Sequence, residues 1–492
     1  MDHSAGFPVL NWRKPAGFLG AFFGILIPLA MWGGWSDPDS AFYYQPGWNS
    51  PVLAAGVGLL ATILLLLPLL WITVFRVMDL IGLALAHQAL ILVGYFFIQQ
   101  TAASLGVSEI AAVLEGLPWI VLINGVGWAL LIPVLAMVYF WCQHRGYRLA
   151  PMRASPEELD RRLLPFLRVV SLGLIVLILL PMAVTGAVPL VGGGQGTDVR
   201  YEMLSSGTAR PLYHFATGLV PVVSAALLVS ILRRWRSFPF HDLALLLGMA
   251  ALQVLSGNRL PLAIAMFIGA TLLTLEFRLP RWIFPPLYVG FLGLFMFLGG
   301  FSSLMRTERD RLKEGDPFLA SLSEVYMGNN VIDLRDGAWV MGHWDFQPLL
   351  GQTYLGGLTA MAPSALFPKK HDWHLGLTAV RMVGMDPATH FGLRITFFGE
   401  AFLNFGWAGV LGMAALIGTL WGTLLRTIHL LAMGFRGCLT RNLHIVILTQ
   451  MCLPLTNTSD AFTLWTLLIF LGLMWLAVER FPGRASGALA PA

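Results

Sequence analysis

Apolar runs of about 18 or more residues recur along almost all of this 492-residue chain, and each is long enough to cross a hydrocarbon core. No water is present there to satisfy backbone N–H and C=O groups, so a spanning segment must be a helix or a strand of a closed barrel. Barrel strands would read as short segments of alternating hydrophobicity, whereas these runs are continuous. Composition agrees with helices in a membrane: 57% of residues are hydrophobic and 12% charged, against about 25% charge in a soluble domain. The expected fold is all-α, a polytopic helical integral membrane protein.

Twelve spans are expected, at 16–33, 51–75, 78–98, 118–141, 167–190, 213–232, 241–256, 260–277, 284–303, 405–426, 441–455 and 461–478. The loops give an independent reading of topology. Arg13 and Lys14, Arg76, the run from Arg145 to Arg162, Arg233 to Arg236, Arg278 and Arg281, Arg436 and Arg441, and Arg480 and Arg484 all fall on one side. The opposite loops at 34–50 and 99–117 carry no Lys or Arg. By the positive-inside rule both termini are cytoplasmic. The net charge of +5 is then topological and does not point to nucleic acid. The first span lacks a small-x-small cleavage site and reads as an anchor. Cys142, Cys438 and Cys452 show neither disulfide nor metal spacing, and no cofactor or metal is expected.

The chain divides into a bundle at 1–303, a large extracytoplasmic loop at 304–390 and a closing membrane segment at 391–492. So long a loop translocates regardless of its charge. Phe318, Leu322, Val325 and Tyr326 line one helical face within Phe318–Asp333, so the loop is expected to fold over the outer surface of the bundle.

Ionisable groups at the membrane edge cost free energy and invite a functional explanation. Arg259 sits in an outer hairpin, Ser256-Gly257-Asn258-Arg259, against the topological bias; it reads as an anion ligand or as a snorkelling side chain. Arg306 follows the ninth span at the membrane surface and is a candidate phosphate ligand. Arg394, Glu400 and Asn404 flank the start of the tenth span. Glu400 is a general base or a structural acceptor, and Asn404 a positioning hydrogen-bonding group. If the stretch were helical throughout, Arg394 and Glu400 would lie on different faces. His374 and His390 are further candidate bases. Lys369, Lys370 and Arg381 lie in the loop, where the lysines suit headgroup or phosphate contacts alike. Asp37 and Asp39, in the first outer loop, are compatible with an acidic catalytic motif or with an interfacial turn.

Three elements carry a family resemblance. They are Pro363-Ser-Ala-Leu-Phe-Pro368-Lys369, then Gly399-Glu400-Ala-Phe-Leu-Asn404-Phe-Gly406-Trp-Ala-Gly409 leading into a span, and the turn ending in Arg259. With one large outer loop in the C-terminal half, the chain resembles the bacterial O-antigen and exopolysaccharide polymerases, the Wzy-type oligosaccharide repeat-unit polymerases. Lys370 stands where that pattern has proline.

The resemblance implies a glycosyltransferase of the GT-C membrane class in the bacterial inner membrane. It implies undecaprenyl-diphosphate-linked oligosaccharides as substrates, membrane lipids as surroundings, and a chain-length regulator and a flippase as possible partners. Glycosyl transfer from a lipid diphosphate requires the leaving diphosphate to be neutralised, which Arg259, Arg306 and Arg394 could do. Glu400, His374 or His390 would take the proton of the acceptor hydroxyl. Three other readings stay open: an O-antigen ligase, a polyprenyl-phosphate-sugar-dependent glycosyltransferase, and a lipid-linked oligosaccharide flippase or transporter. A transporter should carry ionisable groups on broken helices.

Overall fold

The computed structural model describes residues 107–147, 156–186, 209–234, 239–255, 265, 333–362, 365–370, 372–387, 392–434, 439–451, 458 and 461–480. The other residues lie outside this set, as do the expected spans at 16–33, 51–75, 78–98 and 284–303, all of 260–277 but residue 265, Asp37, Asp39 and the helical face in Phe318–Asp333. Among the described residues the structure is all-helical, with no strand. The α-helices, numbered along these residues, are α1 Val107–His144, α2 Pro156–Thr185, α3 Ala209–Arg233, α4 Phe240–Leu255 and α5 Asp333–His343. They continue with α6 Gln352–Leu358, α7 Leu375–Met382, α8 Phe397–Gly434, α9 Leu439–Met451 and α10 Ala461–Arg480. Four, namely α1, α2, α3 and α8, are long and apolar enough to cross a membrane. This is a helical membrane protein.

Burial agrees with a membrane setting for these helices. Val169, Leu172, Val176, Leu180 and Val184 of α2 are all exposed at intervals of three or four residues. Such a stripe in water would be an aggregation hazard; in a bilayer it is the lipid face.

Two apolar clusters organise the described helices. One joins α1, α5, α7 and α8, with Trp128 set edge-on to Phe398 at 5.4 Å and Trp421 6.4 Å away. The other joins α2, α3, α4, α9 and α10. Contacts between α8 and α9, and of α6 with α8 and α10, link them. Polar anchors sit at the helix ends. Asp160 of α2 accepts the Leu439 N–H (2.8 Å) and Thr440 N–H (3.0 Å), capping α9 from another helix, and pairs with Arg233. Asp242, fully buried, accepts from Arg168 Nε at 2.6 Å and from Arg234. A buried carboxylate needs such partners to remain charged.

The N-terminal turns of α1 are a platform for α5. The apolar run begins near Pro118, yet the helix begins at Val107, within the stretch the sequence suggests is loop. The extra turns bind α5 through glycines. A Cβ at Gly116 would lie 1.9 Å from the Ala338 carbonyl oxygen, and one at Gly342 2.0 Å from that of Ala112. Residue numbers rise along one helix as they fall along the other, so the two are antiparallel and almost in backbone contact. Gly342→Ala should therefore destabilise the protein by about 1–3 kcal/mol, as overpacking does; thermal unfolding in detergent measures it, and an unchanged midpoint would contradict this crossing.

Candidate functional site

Helix α8 is two helices joined by a reversal. Gly406 has φ 59° and ψ −148°, a conformation open in practice only to glycine. Phe398 lies against Gly127 and Trp128 of α1, while Phe402 stacks on Trp119 at 6.4 Å, so 397–405 runs antiparallel to α1. Beyond the break Gly418 meets Leu131 and Val134, Gly422 meets Leu135, and His429 meets the Tyr139 hydroxyl at 2.8 Å, so 407–434 runs parallel to it. Gly409 folds back until a Cβ there would stand 2.2 Å from the Ala401 carbonyl oxygen. The expected span start at 405 coincides with this reversal, and a short half-helix precedes it.

The half-helix is capped at both ends. Thr396 is its N-cap: its Oγ1 accepts the Gly399 N–H at 3.3 Å and a 2.9 Å bond from Asn124 Nδ2 of α1. Arg394 therefore precedes the helix, and helical spacing from Arg394 to Glu400 does not apply. At the other end the reversal frees two carbonyls. Leu403 O accepts the Leu349 N–H at 2.9 Å and Asn404 O the Leu350 N–H at 3.0 Å.

Glu400 and Asn404, one turn apart, face the same partners. Glu400 is 1% exposed; its Oε1 accepts from Thr353 Oγ1 at 2.7 Å and Thr458 Oγ1 at 2.5 Å, and the Thr458 backbone N–H also donates to the carboxylate. Asn404 Nδ2 donates to Thr353 Oγ1 (2.7 Å) and to the Glu400 carbonyl (2.9 Å), while its Oδ1 accepts the Gly351 N–H at 3.0 Å. The polar junction thus ties α6, the half-helix and residue 458 together. Tyr354 stacks parallel to Phe405 at 6.1 Å. Gly351, Thr353, Tyr354 and Thr458 escape the sequence reading.

The other candidates fall around this junction. His374 is half-buried and precedes α7, whose Thr378 N–H bonds its carbonyl at 2.9 Å. Arg381 of α7 is exposed and pairs with Asp372 Oδ1 at 2.7 Å. Lys369 is exposed in the 3-10 turn Pro368–Lys370. Its neighbour Lys370 instead donates to the Ala360 (3.3 Å) and Ala362 carbonyls, which separates two residues that the sequence leaves equivalent. Arg394 has an exposed side chain and donates its backbone N–H to Asp336 Oδ2 at 3.3 Å. Arg259, Arg306 and His390 lie outside the described residues. Among the described residues, no three His, Cys, Asp or Glu side chains converge as metal ligands.

The fold and site define a membrane protein whose polar centre is a broken helix locked to the chain before it. Compared with models of known families, with curated proteins and with solved structures, the chain gives no match.

Two substitutions test the lock. Gly406→Ala has open space for its methyl group but not the backbone conformation, and should cost about 1–3 kcal/mol. Asn404→Leu leaves the Gly351 N–H without its acceptor and should cost about 1–3 kcal/mol. Denaturation in detergent measures both.

Proposed function

We propose that this protein is a glycosyltransferase that polymerises undecaprenyl-diphosphate-linked oligosaccharide repeat units at the outer face of the bacterial inner membrane, on a GT-C-like scaffold of about 12 spans. One observation carries the reading. The short half of α8 brings a carboxylate and a carboxamide into the core of a membrane protein, and the segments leading into it or packed around it expose Lys369, Arg381 and Arg394. Buried polar groups beside surface cations suit a substrate that is glycan at one end and lipid diphosphate at the other.

In this reading Arg259, Arg306 and Arg394 neutralise the diphosphate, with Lys369 and Arg381 adding to the field. The acceptor hydroxyl oxygen bonds to the anomeric carbon as the bond to the diphosphate oxygen breaks, and the diphosphate leaves with the electron pair. The hydroxyl proton passes to a base. Glu400 is sequestered and already accepts three hydrogens, so it serves best as a positioning group; half-buried His374, or His390, is the better proton acceptor. Asn404 fixes the junction on which the site rests.

Gel analysis of surface glycan from a deletion strain tests the activity. Deletion should leave single repeat units and the wild-type chain should restore the ladder. Arg394→Ala or Arg259→Ala, present at normal levels, should cut polymer by about tenfold or more, the equivalent of a lost charge-assisted hydrogen bond. Glu400→Gln keeps an acceptor oxygen and should retain polymer if Glu400 positions; its loss would make Glu400 the base.

The broken helix favours a second reading, a lipid-linked oligosaccharide flippase or transporter, since discontinuous helices with buried polar groups recur at transport sites. Deletion would then strand lipid-linked units on the cytoplasmic face.

A further inference from the structure

The short helix α6 is built inside out. Its buried side presents Thr353, Gly356 and Gly357, with the glycines against the Trp373 backbone and against Thr458 and Ala461. Its exposed side presents Gln352, Leu355 and Leu358. A helix in water hides leucine and shows polar residues; this one does the reverse.

The inversion extends to both sides of the helix. Phe346 and Leu350 before it, and Leu366 and Phe367 after it, are also exposed, with Leu350 75%, Leu358 63% and Leu366 71% accessible. Two of these side chains are held outward at a conformational cost. Phe346 (φ 61°) and Leu350 (φ 50°) are the only non-glycine residues with positive φ among the described residues, and bulky residues avoid that region. At Leu350 the cause is visible. Its N–H is fixed to the Asn404 carbonyl released by the break at Gly406, and the backbone that reaches this carbonyl turns the side chain away from the core.

We infer that residues 346–362 and 365–367 form an interfacial element whose leucine and phenylalanine face is immersed in the membrane, beside the reversal in α8. Two observations select lipid as the occupant. Exposed apolar side chains adjoin it on the half-helix and second half of α8, namely Phe405, Trp407 and Leu411; Phe405 stacks on Tyr354 of α6 itself. Exposed aromatic and cationic side chains also border the element. Phe346 and Trp407 are the exposed members of an aromatic group completed by Trp119, Trp344 and Phe402, and exposed Lys369 lies two residues beyond Phe367, within reach of headgroup phosphates. The polar junction of Glu400, Asn404 and Thr353 thus lies directly behind a membrane-embedded wall, and the approach to it from this side is lateral, through lipid.

The inference rests on membrane residence alone and not on glycosyl transfer. Its test uses the wild-type protein in liposomes, labelled with a carbene reagent that partitions into the bilayer and, separately, with hydroxyl radicals from the water phase; adducts are mapped by mass spectrometry. Leu350, Leu355, Leu358 and Leu366 should carry carbene adducts and be spared by hydroxyl radicals, while exposed His343 and Arg381 show the opposite pattern. Water-phase labelling of the leucines would overturn the inference, and protection from both reagents would overturn it in favour of a protein partner or a second copy. Spin labels at Leu350→Cys and Leu358→Cys, with Cys142, Cys438 and Cys452 replaced, give a second measurement: collision with oxygen should exceed collision with a water-soluble nickel complex. Equal or reversed accessibility overturns it.

Discussion

A carbonyl inside a membrane protein must find a donor, and the described structure around α8 follows from how that demand is met at Gly406. Reversing a helix there strands the last carbonyls of the half-helix. The chain answers with the N–H groups of Leu349 and Leu350, contributed from a segment more than fifty residues earlier. Once those two bonds are made, the position of α6 is set, Thr353 is delivered to Glu400, and Asn404 closes the junction. The half-helix is held equally firmly at its other end by Thr396 and Asn124 of α1. One broken helix therefore organises residues from four separate stretches of sequence.

Packing against α1 makes the arrangement durable. The first half of α8 descends α1 and the second half ascends it; Gly418 and Gly422 of α8 allow near-backbone contact, and Gly127 of α1 makes room for the Phe398 ring. The N-terminal turns of the same helix carry α5. A single long helix thus supports α5 and both halves of α8, while the second cluster, around α2, α3 and α9, attaches mainly through α9.

The sequence reveals the helices of this protein better than their junctions. Seven expected spans fall on described helices, because a continuous apolar run in a chain this poor in charge has few other solutions. The start of α1 is missed because its first turns face α5 rather than lipid, and so lack the uniform hydrophobicity that marks a span. The reversal of α8 is legible only as a hint, two glycines three residues apart within an apolar run. Glu400 and Asn404 stand out as polar residues beside that run. Their partners Thr353 and Thr458 do not, since nothing local distinguishes a threonine that will meet a carboxylate from one that bonds its own helix, as Thr419 and Thr423 do. Long-range pairing, unlike periodicity, leaves no trace in a single sequence.

The cap that Asp160 supplies to α9 carries an implication for biogenesis. A helix whose opening N–H groups are satisfied by a residue of an earlier span cannot complete its own first turn until that span is in place. The acceptor is inserted long before the donors are synthesised, so the C-terminal helices arrive at a template already carrying the charge that receives them. The register of α9 is thereby tied to α2, whose carboxylate its first N–H groups meet.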